Sequence, residues 1–325
     1  MKAIGCLVFL LLLHGCSTGP SRKEAVQQPP LPPKHTGFFV SAPIAEFSST
    51  QIPCLRVNIE DQQLLLKLDL GFRGDLSLEA NSLSSIRSKV FLGEKDMYGM
   101  RGKKYRENVY RIPKVEIGLM TFSPLHVLEQ DPMFMPDARL IQDGQDAPTG
   151  GVGTLGWQLF VNTNLLIDIQ QSRIAFCDSL DELHRAGYIT ESCVKVPLLL
   201  ERGLVELEAE GPDGMMRCVL DTGSTWNIIN AEIDKEVPLE IAVWEEQNSL
   251  ELPFLKLGGR DQGPLPFHRM PIRLPIHVEA VLGMEFFKKH VVFLDFKNGC
   301  AYVWPNEEPL LCRPPLKHRR CATQS

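Results

Sequence analysis

The chain has 325 residues, of which 44% are hydrophobic, so it is long enough for one large or two medium domains with a buried core. Its net charge is -6, and basic and acidic residues are interspersed, which argues against an extended basic surface for nucleic acid. The locally basic stretch Lys317-His318-Arg319-Arg320 belongs to a short tail and does not change this expectation.

The N-terminal residues MKAIGCLVFLLLLHGC combine Lys2 with an apolar run too short to span a bilayer, which is typical of an export signal. Leu13-His14-Gly15-Cys16 resembles the lipobox of bacterial lipoproteins, in which the signal is cleaved before a cysteine that then carries lipid. The resemblance implies a signal peptide over residues 1–15 and a membrane anchor at Cys16. By resemblance to the sorting of bacterial lipoproteins, Ser17 after the cysteine implies the outer membrane of a bacterial envelope, on its periplasmic side or at the surface. An ordinary cleaved signal, with Cys16 present by chance, is the alternative.

Seven cysteines remain after Cys6 and Cys16, so they cannot all pair with one another. The pairs expected first, because each closes a short loop, are Cys177 with Cys193 and Cys312 with Cys321. The sparse histidines form no ligand spacing with these cysteines, so neither a metal site nor a cofactor is predicted.

Two segments of the chain align without a gap: LGWQLFVNTNLLIDIQQSRIAF from Leu155, and LGMEFFKKHVVFLDFKNGCAYV from Leu282. Each continues as strand, tight turn and strand, so both predict the same hairpin. The turns are expected at Gln170-Gln171-Ser172 and Lys297-Asn298-Gly299. The shared Asp168 and Asp295 precede these turns, and we interpret them as structural.

Upstream of each segment lies an Asp-x-Gly motif: LLLKLDLGFRGDLSL in the first half and MMRCVLDTGSTWNII in the second. Asp69 is thereby aligned with Asp221, and Gly71 with Gly223. A further hairpin pattern precedes each motif, with turns expected at residues 61–62 and 211–214. The repeated order of elements predicts two similar β-rich lobes.

Helical spacing is confined to LEANSLSSIR and SLDELHRAG, so the body is predicted to be mainly β. The proline-rich segment after Cys16 suits an extended tether. The expected parts are the signal at 1–15, the lipidated tether at 16–37, lobes at 38–180 and 181–305, and a basic tail at 306–325.

The stretch VLDTGSTWNII closely resembles the aspartic peptidases, the pepsin and retropepsin superfamily, in which each lobe contributes a hydrophobic-Asp-Thr-Gly loop and a later hydrophobic-Gly element. The first copy, DLGFRG, resembles the DTGFxG variant of small bacterial and archaeal members, with Leu70 in place of threonine. The resemblance covers the pattern of residues 50–305. It implies two β-barrel-like lobes with a cleft between them and a catalytic pair, Asp69 and Asp221. The supporting residues of the loops are then Gly71, Thr222, Gly223 and Ser224.

The chemistry of such a pair follows from its charge. Two carboxylates within hydrogen-bond distance cannot easily both ionise, so they share a proton and titrate as a unit. One can then activate a water as base while the other protonates a peptide carbonyl, without metal, organic cofactor or covalent adduct. Both aspartates lie in one chain, so a monomer suffices. The expected activity is that of a membrane-anchored aspartic endopeptidase acting on polypeptides.

Residues 98–122 contain a Gly-flanked polar turn and two alternating strands. The resemblance implies a flap over the cleft, with Tyr98, Gly99 and Gly102 nearest the substrate. An ordinary exposed hairpin is the alternative. Trp226, close to the second motif, is a candidate for the wall of a side-chain pocket.

Leu70 lacks the hydroxyl that, in the family, bonds the backbone of the opposing loop. A buried amide left unpaired would cost about 1 to 3 kcal/mol and loosen the pair, although Thr222 retains its half of the contact. Arg73, if close to Asp69, would favour the ionised carboxylate. Two alternatives to a peptidase therefore stay open: a catalytically impaired, peptide-binding lipoprotein of the envelope, and an unrelated β protein in which both motifs are turns.

Overall fold

Strands dominate the protein because short aliphatic and aromatic runs alternate with turns rich in Gly, Asn and Asp. The computed structural model describes residues 38–48, 51–98, 104–130, 152–188, 192–231, 249–274 and 276–305. They form a mainly β structure with curled sheets, one of them a half-barrel. All of these residues fall within one compact unit, Gly37–Ser325.

The described residues of the first half form thirteen strands and one α-helix. The strands are β1 (Phe39–Pro43), β2 (Glu46–Phe47), β3 (Pro53–Ile59), β4 (Gln62–Asp69), β5 (Leu76–Glu79), β6 (Val90–Tyr98), β7 (Lys104–Ile112), β8 (Val115–Ile117), β9 (Met120–Phe122), β10 (Leu125–Gln130), β11 (Gly153–Gly156), β12 (Asn164–Asp168) and β13 (Arg173–Cys177). Helix α1 spans Ala80–Ser84, and a 3₁₀ turn spans Trp157–Phe160.

In the second half, the part of the chain that the structure describes forms eleven strands and two helices. The strands are β14 (Val194–Pro197), β15 (Glu206–Gly211), β16 (Gly214–Leu220), β17 (Ile228–Asn230), β18 (Ser249–Leu252), β19 (Lys256–Leu257), β20 (Arg260–Asp261), β21 (Leu265–Met270), β22 (Ala280–Leu282), β23 (His290–Asp295) and β24 (Cys300–Pro305). The helices are α2 (Leu180–Arg185) and α3 (Met284–Lys289). None of the helices in the described ranges is long and apolar enough to cross a membrane.

Two of the sheets repeat one topology. The ten-stranded sheet has the order β6-β7-β10-β5-β11-β4-β3-β8-β9, with β2 beside β3, and the eight-stranded sheet has the order β18-β21-β17-β22-β16-β15-β19-β20. Without β6, the first order has eight strands from β7 at one end to β9 at the other. Each of them corresponds to the strand at the same place in the second order, so that β4 corresponds to β16 and β11 to β22. Parallel and antiparallel pairings also agree at each step. The duplication predicted from the sequence is therefore present in the sheet topology.

The third sheet has six strands in the order β1-β13-β12-β23-β24-β14. It joins the two predicted Leu-Gly hairpins, because β12 pairs with β23 at its centre. Asp168 Oδ1 accepts a 3.0 Å bond from the Gln171 amide, and Asp295 Oδ1 accepts a 3.2 Å bond from the Asn298 amide. Both aspartates thus close their own turns.

Other local predictions vary in accuracy. Both predicted helices form, and α2 is capped by Ser179, whose hydroxyl accepts a bond from the Glu182 amide. The first hairpin turns at Glu60 and Asp61, one residue earlier than predicted, because Gln62 already pairs with Ile59. Helix α3 was not predicted, since its apolar residues continue the preceding strand without a break in pattern.

The expected disulfide between Cys177 and Cys193 is wrong, because the two residues do not form one. Cys177 ends β13 and Cys193 precedes β14, and these strands are four positions apart in the six-stranded sheet. That separation is about 19 Å, at roughly 4.8 Å per strand. A disulfide needs Cα atoms within about 7 Å. Cys312 and Cys321 lie outside the described residues.

Alternation along the strands before the Asp-x-Gly motifs determines which residues enter the main core. Leu66 and Leu68 of β4 are fully buried in it, as are Cys218 and Leu220 of β16. Because successive side chains of a strand point to opposite faces, the intervening positions belong to the other face. Asp69 and Asp221 follow these strands at intervening positions, so by the same alternation they lie on the face opposite the main core.

Candidate active site

The two aspartates leave their sheets at equivalent points. Asp69 is the last residue of β4 and is aligned with Gly156 of β11. Asp221 directly follows β16, and its amide donates a 3.0 Å bond to the carbonyl of Leu282 in β22. Each aspartate is therefore held beside the Leu-Gly element of its own half.

The carboxyl groups of Asp69 and Asp221 are hydrogen-bonded to each other. Asp221 is 7% exposed, and Asp69 is half-buried. Each also accepts a bond from its own loop: the Phe72 amide donates to Asp69 Oδ1 at 3.0 Å, and the Gly223 amide donates to Asp221 Oδ1 at 2.8 Å. The loops thus hold the two groups as one unit.

Glycines make this approach possible in a reciprocal way. A Cβ on Gly71 would lie 2.7 Å from both carboxylate oxygens of Asp221, and a Cβ on Gly223 would lie 2.5 Å from both oxygens of Asp69. Neither distance leaves room for a side chain. The glycine of each motif is therefore required by the carboxylate of the opposite motif.

The charge state of the pair follows from its surroundings. Burial, the charge of Asp221 and the hydrogen bond with Asp221 raise the pKa of Asp69 well above its usual value. Burial also raises the pKa of Asp221, but hydrogen bonds from Asp69 and from the amides of Gly223, Gly71 and Ser224 oppose the rise. Burial and the mutual repulsion of the two carboxylates therefore favour a pair that shares one proton and titrates as a unit.

A single hydroxyl joins the loops beneath the carboxylates. Thr222 Oγ1 donates a 2.7 Å bond to the carbonyl of Leu68 and accepts a 3.1 Å bond from the amide of Leu70. Leu70 has no polar atom to make the reciprocal pair, and its side chain is fully buried in the main core. The hydroxyl contacts expected from Thr222 are therefore present. Apolar packing of Leu70 replaces the contacts expected from a hydroxyl on the first loop.

The glycines of the two Leu-Gly elements pack directly against the backbone of the Asp-x-Gly loops. A Cβ on Gly156 would lie 2.7 Å from the carbonyl oxygen of Phe72, and a Cβ on Gly283 would lie 2.7 Å from that of Ser224. These two glycines again allow backbone to pack on backbone. The aligned Leu-Gly pairs of the sequence therefore mark real contacts with the Asp-x-Gly loops.

The remaining predicted site residues have different surroundings. The Ser224 amide bonds Asp221, whereas its hydroxyl donates a 2.7 Å bond to the Trp226 carbonyl. Trp226 is partly buried against an apolar cluster, and its ring centroid is 5.0 Å from that of His268.

Of the predicted flap residues, Tyr98 is exposed at the end of β6, in the hairpin that β6 forms with β7. Gly99, Gly102 and the lipidation candidate Cys16 lie outside the described residues, as do the signal, tether and tail segments.

The expectation that Arg73 favours an ionised Asp69 is wrong. Its guanidinium packs over Gly203, and the pKa of Asp69 is raised, chiefly by burial and by Asp221. Asp75, two residues further on, accepts a 2.9 Å bond from the His126 amide.

Sequence reasoning missed Asn227, which is fully buried beside the second loop. Its Oδ1 accepts a 2.9 Å bond from the Gly283 amide, its Nδ2 donates to the Pro266 carbonyl, and its own amide donates to Glu285 Oε2. It thus links the loop to β21, β22 and α3. The motif spacing offered no signal, because Asn227 occupies an ordinary turn position after DTGSTW.

In the described part of the chain, no group of three or more His, Cys, Asp or Glu residues is arranged to hold a metal ion. No protein-family model matches the chain, and no curated protein matches it significantly.

Proposed function

We propose that the protein is an aspartic endopeptidase with a two-lobed pepsin/retropepsin-like fold. The observation that carries the proposal is the reciprocal packing of Gly71 against Asp221 and of Gly223 against Asp69, around hydrogen-bonded carboxyl groups. A pair of ordinary turns needs no such approach between two acids, one buried and one half-buried, which is costly unless they share a proton. The matching strand orders of the two large sheets support a cleft between similar lobes.

The shared proton suggests a role for each carboxyl group of the pair. The ionised carboxylate accepts a proton from a water held between Asp69 and Asp221, and this water attacks the peptide carbonyl. The protonated carboxyl group donates its proton to the carbonyl oxygen, which gives a neutral tetrahedral gem-diol. Transfer of a proton to the amide nitrogen then accompanies cleavage of the C–N bond. The amides of Phe72 and Gly223 keep both carboxyl groups oriented throughout.

One observation favours a second function. Leu70 removes one of the two hydroxyl contacts between the loops, so a protein with this fold that binds peptides without cleaving them is the alternative. For either function, the lipobox-like sequence at Cys16 supports attachment to the envelope, and we propose the outer membrane as its location.

Peptide cleavage by the full-length chain, purified in detergent, tests the proposal. We would incubate it with a denatured protein mixture from pH 3 to 8 and identify new termini by mass spectrometry. The expected result is cleavage that Asp69→Asn and Asp221→Asn both abolish. Asp213→Asn, in the exposed turn between β15 and β16, is the matched control and should cleave normally.

A folded wild-type chain that produces no more termini than the two active-site variants would reject the peptidase. Peptide binding, measured by fluorescence polarisation with the same chain, would then support the alternative function.

A further inference from the structure

Arg73 of the first Asp-x-Gly loop contacts the second half of the chain. A Cβ on Gly203 would lie 2.6 Å from Nη2 of Arg73, 3.0 Å from Nε and 3.2 Å from Cζ. Because both nitrogens are nearer than the carbon that joins them, the Nε–Nη2 edge of the guanidinium faces the glycine. Gly203 has a φ of 73°, and its lack of a side chain leaves the space that this edge needs. The edge formed by Nη1 and Nη2 faces away from the glycine.

Gly203 belongs to a turn that flanks the second aspartate. The antiparallel pairing of β15 with β16 continues past the end of β15, where the Leu220 amide donates a 2.8 Å bond to the Val205 carbonyl. Gly203 is two residues before Val205, and Asp221 directly follows Leu220. Leu204, between them, is buried in an apolar cluster with residues of β16, β17 and β22. The Arg73 guanidinium against Gly203 therefore lies at the edge of the paired loops.

The Arg73 guanidinium is accessible to a ligand. The residue is exposed, and its side chain forms no hydrogen bond or ion pair with any other residue that the structure describes. The nearest acid in the sequence, Asp75, accepts a bond from the His126 amide and has a carboxylate oxygen 3.4 Å from the His126 ring. Contact with Gly203 limits where the guanidinium can lie, but its Nη1–Nη2 edge keeps its donors available.

The position of Arg73 bears on substrate choice, and this inference rests on the proposed peptidase function. A peptide that is cleaved by the two aspartates has to reach the junction where Gly71 packs against Asp221. Arg73 follows Gly71 by two residues and contacts the second half as well, so its guanidinium borders the same junction. The equivalent place of the second loop is occupied by Thr225, which is uncharged. The charge is therefore present on one side of the junction.

We infer that Arg73 binds a carboxylate of the peptide substrate. Its guanidinium is always charged, and two of its N–H groups can donate in parallel to the two oxygens of a carboxylate. The carboxylate comes either from an acidic side chain near the scissile bond or from the C-terminus of the peptide. Both sources present the same chemical group, so the experiment has to separate them.

The experiment compares pairs of peptides that differ in one carboxylate. In the first series both ends are blocked, and Glu or Gln occupies one of the positions near the scissile bond. In the second series a neutral peptide has either a free C-terminal carboxylate or a C-terminal amide. The full-length chain in detergent should cleave the carboxylate peptide of one series with a kcat/KM about fivefold above its neutral partner. This ratio should decline at high salt, because the contact is exposed to solvent.

Four variants test the residue that is responsible. Arg73→Gln should reduce the ratio to about one by lowering kcat/KM for the carboxylate peptide, and Arg73→Lys should retain part of the preference. Gly203→Ala keeps the charge but displaces the guanidinium, because its Cβ would lie 2.6 Å from Nη2, so it should also reduce the ratio. Arg185→Gln, at an exposed arginine of α2, is the matched control and should leave the ratio unchanged.

Equal cleavage of carboxylate and neutral peptides by the wild type, or a ratio that Arg73→Gln leaves unchanged, would overturn the inference. If Arg73→Gln fails to fold, as judged by circular dichroism, the ratio of the wild type and its salt dependence decide. If the wild type cleaves no peptide, the peptidase proposal fails, and fluorescence polarisation with the same peptides tests carboxylate recognition separately. Tighter binding of a carboxylate peptide that Arg73→Gln loses would support recognition, and equal or absent binding would overturn it.

Discussion

The amide of Leu70 donates a hydrogen bond to the hydroxyl of Thr222, across the junction of two loops that are 152 residues apart in sequence. The same hydroxyl donates to the carbonyl of Leu68, so one side chain satisfies two backbone groups of the opposite loop. Leu70 has no hydroxyl that could bond the loop of Thr222 in the same way, and its side chain lies in the core. The junction is therefore asymmetric, and its stability depends on Thr222.

Thr222→Val should destabilise the fold by about 1 to 3 kcal/mol, because two buried backbone groups lose their partner while the volume is kept. Urea unfolding measures the change. Thr222→Ser keeps the hydroxyl and should recover most of the stability. Equal losses in the Ser and Val variants would show that the hydroxyl contacts contribute little.

Leu70→Thr and Leu70→Val form a matched pair that differs only in a hydroxyl. Both lose apolar packing in the core, but the Thr variant can bond the opposing loop as Thr222 does. The Thr variant should therefore be at least as stable as the Val variant. In a core the Val variant is usually the more stable of the two, because a buried hydroxyl is costly. Urea unfolding of both variants tests this, and a clearly less stable Thr variant would contradict it.

The shared proton predicts a pH dependence of stability. The raised pKa of Asp69 means that the folded state binds more protons than the unfolded state above about pH 4. The wild type should therefore lose stability as the pH rises from 4 through the pKa of the pair. Asp69→Asn removes one of the two carboxyl groups and their mutual repulsion, so it should lose less stability over this range, and its stability relative to the wild type should increase with pH. Urea unfolding at pH 4, 5, 6 and 7 measures the trend, and a difference that is constant with pH would refute it. Asp213→Asn should show no trend.

Gly223→Ala should inactivate the proposed enzyme, because its Cβ would lie 2.5 Å from both carboxylate oxygens of Asp69. The carboxylate must move, and a displacement of this kind can lower kcat about 100-fold. Gly71→Ala should have a similar effect through Asp221. Peptide cleavage rates, with folding checked by circular dichroism, provide the test. Full activity in either variant would show that the close approach is not needed.

Glu206 predicts a second pH effect, away from the aspartates. It is fully buried, and neither carboxylate oxygen has a hydrogen-bond partner among the residues that the structure describes. Burial raises its pKa although an Arg202 guanidinium nitrogen is 3.6 Å away. Above the unfolded pKa of about 4.5, the folded state therefore prefers the protonated acid, and stability falls as pH rises. Glu206→Gln should become more stable relative to the wild type between pH 4 and 7. Thermal unfolding measures this, and a Gln variant that loses stability as pH rises would contradict it.

Much of the architecture was predictable from local patterns. The aligned Leu-Gly segments indicated both central hairpins, and the two Asp-x-Gly motifs indicated equivalent loops, because turns and alternating strands depend on neighbouring residues. The same locality explains the errors. The sequence offered no means of placing Cys177 and Cys193 on distant strands of one sheet.

By itself, the sequence determined the duplication, the mainly β class and the identity of the paired aspartates. Tertiary structure alone decided which residues lie opposite one another. Ser77 is eight residues after Asp69, whereas its counterpart Ile228 is seven after Asp221, so a gapless alignment would pair Ile228 with Leu76 of the core. The correspondence between Ser77 and Ile228 is therefore invisible without strand register. Register depends on hydrogen bonds between strands far apart in the chain, and a one-residue shift moves each side chain to the opposite face.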